Sequence, residues 1–346
     1  MWAIWQSTDY KWLMITENHL PVRNLTILWA FNECALGGLM HAFKIPFTGI
    51  FAGGFAVILI GLIAEFSQRN FKEIIQATLL VLAVKFMVSP QSPIGAYIAV
   101  FFQGIFGAIC YKLVSNFRTA SLIFATMAMI ESALQKLLTL TILFGKAFWG
   151  AINSFLNDVA KIFGSAAENG SYTLVIIYLF VYILWGLILG FYLSALPKKL
   201  NEFSNKKLLS DMSAYVNNYV KPLRMQDKTR KGTTVYIVLF ISIVLLGILV
   251  FNNSSTLYIM LRTIAGVIIL FFIITPLLKY LIKSNLKKQQ LQSQNAIQST
   301  INELPQMYAI AGGCWQYSKA KFRGINRIKQ FSFCMLLLSL YGLRNE

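Results

Sequence analysis

The chain of 346 residues carries 57% hydrophobic and only 13% charged side chains, against roughly 25% charged residues in an average soluble domain. With a mean hydropathy of +0.61 in 39.1 kDa, its apolar surface exceeds what one soluble core hides, which excludes an ordinary soluble domain and calls for lipid. The formal net charge of +18 reads as the cation bias of cytoplasmic connections, not nucleic-acid binding, because the cations lie between apolar runs.

Residues 1–24 place Trp2, Trp5 and Trp12 among Asp9, Lys11, Glu17 and Arg23. They lack the apolar stretch and cleavage site of a signal peptide. A short helix lying in the headgroup layer is expected, with a disordered leader as the alternative. Runs of spanning length follow at 25–43, 47–66, 74–88, 94–114, 120–144, 172–196, 235–251 and 257–281. They predict an all-α polytopic membrane protein of about eight transmembrane helices. A ninth run, 331–343, is too short to span and reads as an interfacial or packed helix.

Orientation follows from the connections. Arg69 and Lys72 lie between runs two and three, Lys112 and Arg118 around the link from four to five, and many cations after runs six and eight. The 89–93 and 252–256 links carry no charge. This alternation predicts both termini in the cytoplasm, in a bacterial cytoplasmic (inner) membrane. The expected organisation is an interfacial segment (1–24), a six-span bundle (25–197), a basic cytoplasmic segment (198–232), a two-span hairpin (233–283) and a cytoplasmic tail (284–346) for coupling or recruitment. Within the tail, 301–329 is amphipathic through Leu304, Met307, Tyr308, Ala311, Trp315 and Phe322.

Two constellations stand out. Ala30, Cys34, Gly38 and Ala42 lie four apart in the first run, a small-residue stripe that lets another helix approach closely in lipid. It serves either internal packing or the docking of a partner subunit. The second is polar. Glu33, Lys85, Glu131 and Lys136, with Gln103 and Gln135, lie inside spans, and His41 and Lys44 lie at the outer end of the first. Such groups are costly in hydrocarbon and face the bundle interior. They predict a pocket opening outward for a small anionic or zwitterionic solute. The competing reading pairs Glu33 or Glu131 with Lys85 as a structural ion pair, while Lys44 and Lys136 snorkel.

No P-loop, H-E-x-x-H or G-x-S-x-G pattern is present, and the four aspartates are dispersed. An enzyme is not expected. With four scattered cysteines and only His19 and His41, no metal or cofactor is predicted either.

Six runs with the N-terminus inside, the small-residue stripe, and the Ile45–Gly54 sequence I-P-F-T-G-I-F-A-G-G together resemble the substrate-binding S components of energy-coupling factor transporters, over about residues 25–197. The resemblance implies capture of a vitamin or micronutrient from outside. It also implies a membrane T-type subunit docked on the first helix at Ala30, Cys34, Gly38 and Ala42, and cytoplasmic ABC-type ATPases. Trp315 and the Lys321-Phe-Arg-Gly324 turn, with Arg323, look distantly like the coupling helices of T components, although the Ala-Arg-Gly motif is incomplete; the alternative is a cytoplasmic helix bound to the anionic lipid bilayer through Lys319, Lys321, Arg323, Arg327 and Lys329. A membrane solute-uptake component is therefore expected. The alternatives are a scaffold or assembly factor whose basic tail recruits a cytoplasmic protein, and a membrane enzyme acting on a lipid-linked substrate.

Overall fold

The computed structural model describes residues 20–36, 49–89, 92–162, 164, 170–202, 212–213 and 291–342. Among them every regular element is helical. Helix α1 (Leu20–Phe31) runs into a π-helical turn, Asn32–Leu36, and a second π-helical turn, Gly49–Gly53, opens α2 (Gly54–Phe66). Then come α3 (Phe71–Val88), α4 (Ile94–Leu113), α5 (Phe117–Ile162), α6 (Gly170–Glu202), α7 (Leu291–Lys321) and α8 (Ile325–Leu337), the last ending in a π-helical turn, Leu338–Gly342.

Among the described residues four helices are long and apolar enough to cross a membrane: Gly49–Phe66, Ile94–Leu113, Phe117–Ile162 and Gly170–Glu202. They correspond to the second, fourth, fifth and sixth runs of the sequence. The first and third runs are also helical, but α1 is described only as far as Leu36 and α3 carries Lys72, Glu73 and Lys85. The seventh and eighth runs lie outside the described residues. Helix α5 contains a break at Gly145, whose φ of 66° and ψ of −157° are non-helical. The fifth apolar run ends one residue earlier. Helix α6 passes through Pro197 to Glu202, beyond the end of the sixth apolar run at residue 196.

Two compact units are present. One holds the described residues of Met1–Leu134, Tyr178–Leu223 and Leu281–Glu346, the other those of Gln135–Ile177. In the second, Asn153 Oδ1 accepts from the Ser171 amide at 2.6 Å and Trp149 Nε1 donates to Thr141 Oγ1 at 3.1 Å.

The first unit is built around α1. Every residue from Leu25 to Phe31 is buried, so no face of this stretch is left for solvent or lipid. It packs against α2, α3, α7 and the Leu338–Gly342 turn. Helix α2 is almost as enclosed, with Ala56 to Ala64 buried without interruption. The outer helices differ. On α6, Phe180, Leu184, Ile188 and Phe191 are all exposed, a stripe at helical spacing that requires lipid or another apolar cover.

The loops after α2 and α4 meet at one end of this unit. Arg69 donates to the Ser115 carbonyl and lies 5.8 Å from the Phe117 ring centroid, while Lys112 Nζ is 5.3 Å from that of Phe71. Asn70 caps α3, accepting from the Lys72 amide at 3.1 Å and donating to Glu73 Oε1 at 3.0 Å. Arg69 and Lys112, from the links after the second and fourth runs, therefore lie at the same end of this unit.

Small residues mediate internal contacts. A Cβ on Gly104 would stand 2.1 Å from Thr78 Oγ1, and one on Gly186 would stand 2.6 Å from the Thr126 Cα. Because the second clash is with backbone, Gly186→Ala should push α5 and α6 apart and cost about 1–3 kcal/mol. Gly150→Ala, where nothing lies within 4 Å, should be neutral or slightly stabilising. Thermal unfolding of the two variants in detergent reads the difference, and equal midpoints would contradict the close approach.

Candidate functional site

Unit one has a polar centre where the two π-helical turns meet. A π-helical turn inserts an extra residue, which re-aims side chains and leaves carbonyls out of register with the α-helical ladder. Two such carbonyls in Gly49–Gly53 are met from neighbouring helices. Asn32 Nδ2 donates to the Ala52 carbonyl at 3.1 Å, and Trp185 Nε1 donates to that of Ile50 at 3.2 Å. Two glycines make this turn approachable. A Cβ on Gly49 would lie 2.2 Å from Ser132 Oγ, and one on Gly53 would lie 3.4 Å from Gln103 Nε2.

Beside Asn32, Glu33 Oε2 and Lys85 Nζ form an ion pair at 2.5 Å, with Lys85 only 3% exposed and Glu33 11%. The ammonium also donates to the Ala96 carbonyl at 3.2 Å and lies 5.7 Å from the Tyr97 ring centroid. These contacts replace most of the hydration that Lys85 lost, which is the condition for keeping a charge at such depth. Glu131 is half-buried on α5, with one carboxylate oxygen buried and unpartnered. Asn32 Oδ1 and Trp29 Nε1 are likewise buried without a hydrogen-bond partner.

The residues expected to bind solute are distributed as follows. Glu33, Lys85 and Gln103 lie in the buried interior of unit one and Glu131 at its partly covered edge. Gln135 and Lys136 belong to the second unit, and Lys136 is exposed. His41 and Lys44 lie outside the described residues. The pairing of Lys85 with Glu33 is the structural alternative raised by the sequence. Its charge is thereby balanced, and the described polar centre is not net basic.

The expected docking residues divide similarly. Ala30 is fully buried and Cys34 is 8% exposed; the chain's own helices cover them. Gly38 and Ala42 lie outside the described residues. Trp315, Arg323 and Gly324 are exposed at the junction of α7 and α8.

Helix α7, read from sequence as part of a cytoplasmic tail, lies along α1 and α3. Phe31 and Tyr308 meet edge to face with ring centroids 4.8 Å apart, and Arg23 pairs with Glu303. Its buried stripe is Ile297, Leu304, Met307, Ile310, Cys314 and Tyr317, whereas Tyr308 and Trp315 are 49% and 42% exposed. The apolar face is thus rotated from the one expected. The short run after it is a packed element. Residues Cys334 to Leu338 are buried, and the turn Leu338–Gly342 packs on α1.

Tyr97 and Trp185 were not singled out in the sequence, since aromatics in apolar runs carry no positional signal. Nor was the approach of Cys314 to Cys334. These buried free thiols are in hydrogen-bonding contact, and burial and that contact push the Cys314 pKa up, which keeps the thiol protonated and unreactive. Among the described residues no group of three His, Cys, Asp or Glu could hold a metal ion. The chain matches no family model, curated protein or solved structure.

Lys85→Ala should leave the Glu33 carboxylate buried and unpaired, costing about 3–5 kcal/mol. The double variant Glu33→Leu with Lys85→Met should restore much of that loss, because shape is kept and no charge is stranded. A double-mutant cycle on thermal unfolding checks this; additive losses would refute the pairing.

Proposed function

We propose that the protein is a membrane solute-uptake component whose C-terminal helices cover the helix face that the S-component resemblance assigns to a separate membrane subunit. The single observation that carries this reading is the packing of α7 and the Leu338–Gly342 turn on α1, with Tyr308 set edge-on against Phe31. In the resemblance, the first-helix face at Ala30 and Cys34 meets a T-type subunit; here the nearest cover comes from the same chain. The proposed topology has eight spans with both termini inside a bacterial cytoplasmic membrane, the solute entering from the side opposite the Arg69 and Lys112 end.

A buried polar centre in an otherwise apolar bundle supports transport over a purely passive scaffold, because intramembrane polar groups are retained where they serve a pathway or a ligand. The charge balance bears on the solute. With Lys85 held by Glu33, the acceptors still open in unit one include Asn32 Oδ1 and one oxygen of Glu131, and of these two only Glu131 can carry charge. Binding of a small solute with a hydrogen-bond donor or a cationic group suits that acceptor better than binding of an anion.

Protein purified in mild detergent from its own membranes should retain a small solute, identifiable by mass spectrometry. Added back at a hundredfold its dissociation constant, that solute should stabilise the protein by about 3 kcal/mol. Glu131→Gln, which keeps size and fold, should abolish most of this gain. No retained solute, together with a stoichiometric soluble protein held by the tail, would contradict uptake and favour a scaffold.

A further inference from the structure

The junction of α7 and α8 presents five cations, Lys319, Lys321, Arg323, Arg327 and Lys329, with no Asp or Glu among residues 319–329. The junction is fixed by contacts. Lys321 Nζ stands 4.7 Å from the Tyr317 ring centroid and the Arg327 guanidinium 6.0 Å from that of Trp315. Ser318 donates to the Arg327 carbonyl, and Arg327 Nε donates to the Phe322 carbonyl at 3.4 Å. Gly324 makes the turn with a φ of +57°, a conformation that favours glycine.

Beyond the turn, α8 is divided along its length. Its second half enters the core, while Ile325 is 85% exposed and Ile328 60%. These two are three apart and share a face. Trp315, also exposed, stands edge-on to Phe331 at 5.7 Å. Two bare isoleucines within a run of cations, and an exposed tryptophan contacted by Arg327 from that run, are apolar groups that water solvates poorly. Their complement is an apolar layer beneath an anionic one.

We propose that this junction docks on anionic phospholipid headgroups, with Ile325 and Ile328 below the phosphates and Lys319, Lys321, Arg323 and Lys329 among them. Branched aliphatics at the acyl boundary, cations at the phosphates and an interfacial tryptophan are the arrangement by which helices lie on charged bilayers. Since the chain is already anchored in a bilayer, that surface is present at high effective concentration. The proposal is independent of solute uptake and survives its failure.

The full chain with Ile325→Cys, labelled with an environment-sensitive nitrobenzoxadiazole dye, tests this in lipid nanodiscs. Native Cys34, Cys110, Cys314 and Cys334 are buried and leave the introduced thiol as the reactive one. Emission should shift to the blue in phosphatidylcholine discs containing phosphatidylglycerol, not in phosphatidylcholine alone, and the shift should fall with salt. Each of Lys319→Gln, Lys321→Gln, Arg323→Gln and Lys329→Gln should weaken the preference for anionic lipid roughly fivefold. Equal emission in the two kinds of disc overturns the proposal. So does a dye that stays in water in both and is shielded only by added polyglutamate, which would assign the cations to an acidic protein.

Discussion

The Leu25–Phe31 part of helix α1 has no outward face, and the arrangement of the first unit follows from that. From Leu25 to Phe31 every side chain is buried, so neighbours must stand on all sides of it. Helices α2 and α3 supply part of the enclosure and α7 with the C-terminal turn supplies more. In lipid this enclosure gains little from the hydrophobic effect, since acyl chains are as apolar as leucine. Close packing and polar pairing must hold it. The glycine contacts, the Phe31–Tyr308 edge contact and the Arg23–Glu303 pair are contributions of that kind.

The polar centre obeys the same constraint. A carboxylate at the end of α1 cannot remain alone at that depth, and Lys85 reaches it from α3. The π-helical turns supply the remaining geometry: they put Asn32 and Glu33 beside Gly49–Gly53 and expose carbonyls that Asn32 and Trp185 then satisfy. What is left unsatisfied, Asn32 Oδ1 and one oxygen of Glu131, is where added chemistry would be felt. Structure and proposed solute binding therefore share the same few residues, and only the charge-paired ones are committed to holding the fold.

Much of this was legible in the sequence because it rests on local pattern. Apolar run length gave the helices before Pro197, and the fifth run ended one residue before the break at Gly145. The scarcity of intramembrane charge made Lys85 a candidate partner for either Glu33 or Glu131, as the alternative to a solute pocket, and pattern alone did not choose between the two carboxylates. The sequence could not say what covers α1, because a helix apolar on every side carries no sign of its neighbours. It also misplaced the apolar face of α7: Tyr308 and Trp315 fit an amphipathic pattern, yet Ile310, Cys314 and Tyr317 are the buried set. Basic residues there suggested a cytoplasmic coupling or recruitment tail, and only three-dimensional packing brings it beside residues 280 positions earlier, as in the Arg23–Glu303 pair.

The most direct test of the account is proximity of α1 to α7 in intact membranes. Phe31→Cys and Tyr308→Cys, introduced together in a Cys34→Ala background, should be joined rapidly by a short bifunctional methanethiosulfonate. After cleavage at a protease site inserted between residues 202 and 291, the two fragments should then remain linked. Fragments that separate, while a control cysteine pair at Asn201 and Tyr341, which hydrogen-bond at 2.9 Å across the cut, stays joined, would show that α7 does not cover α1.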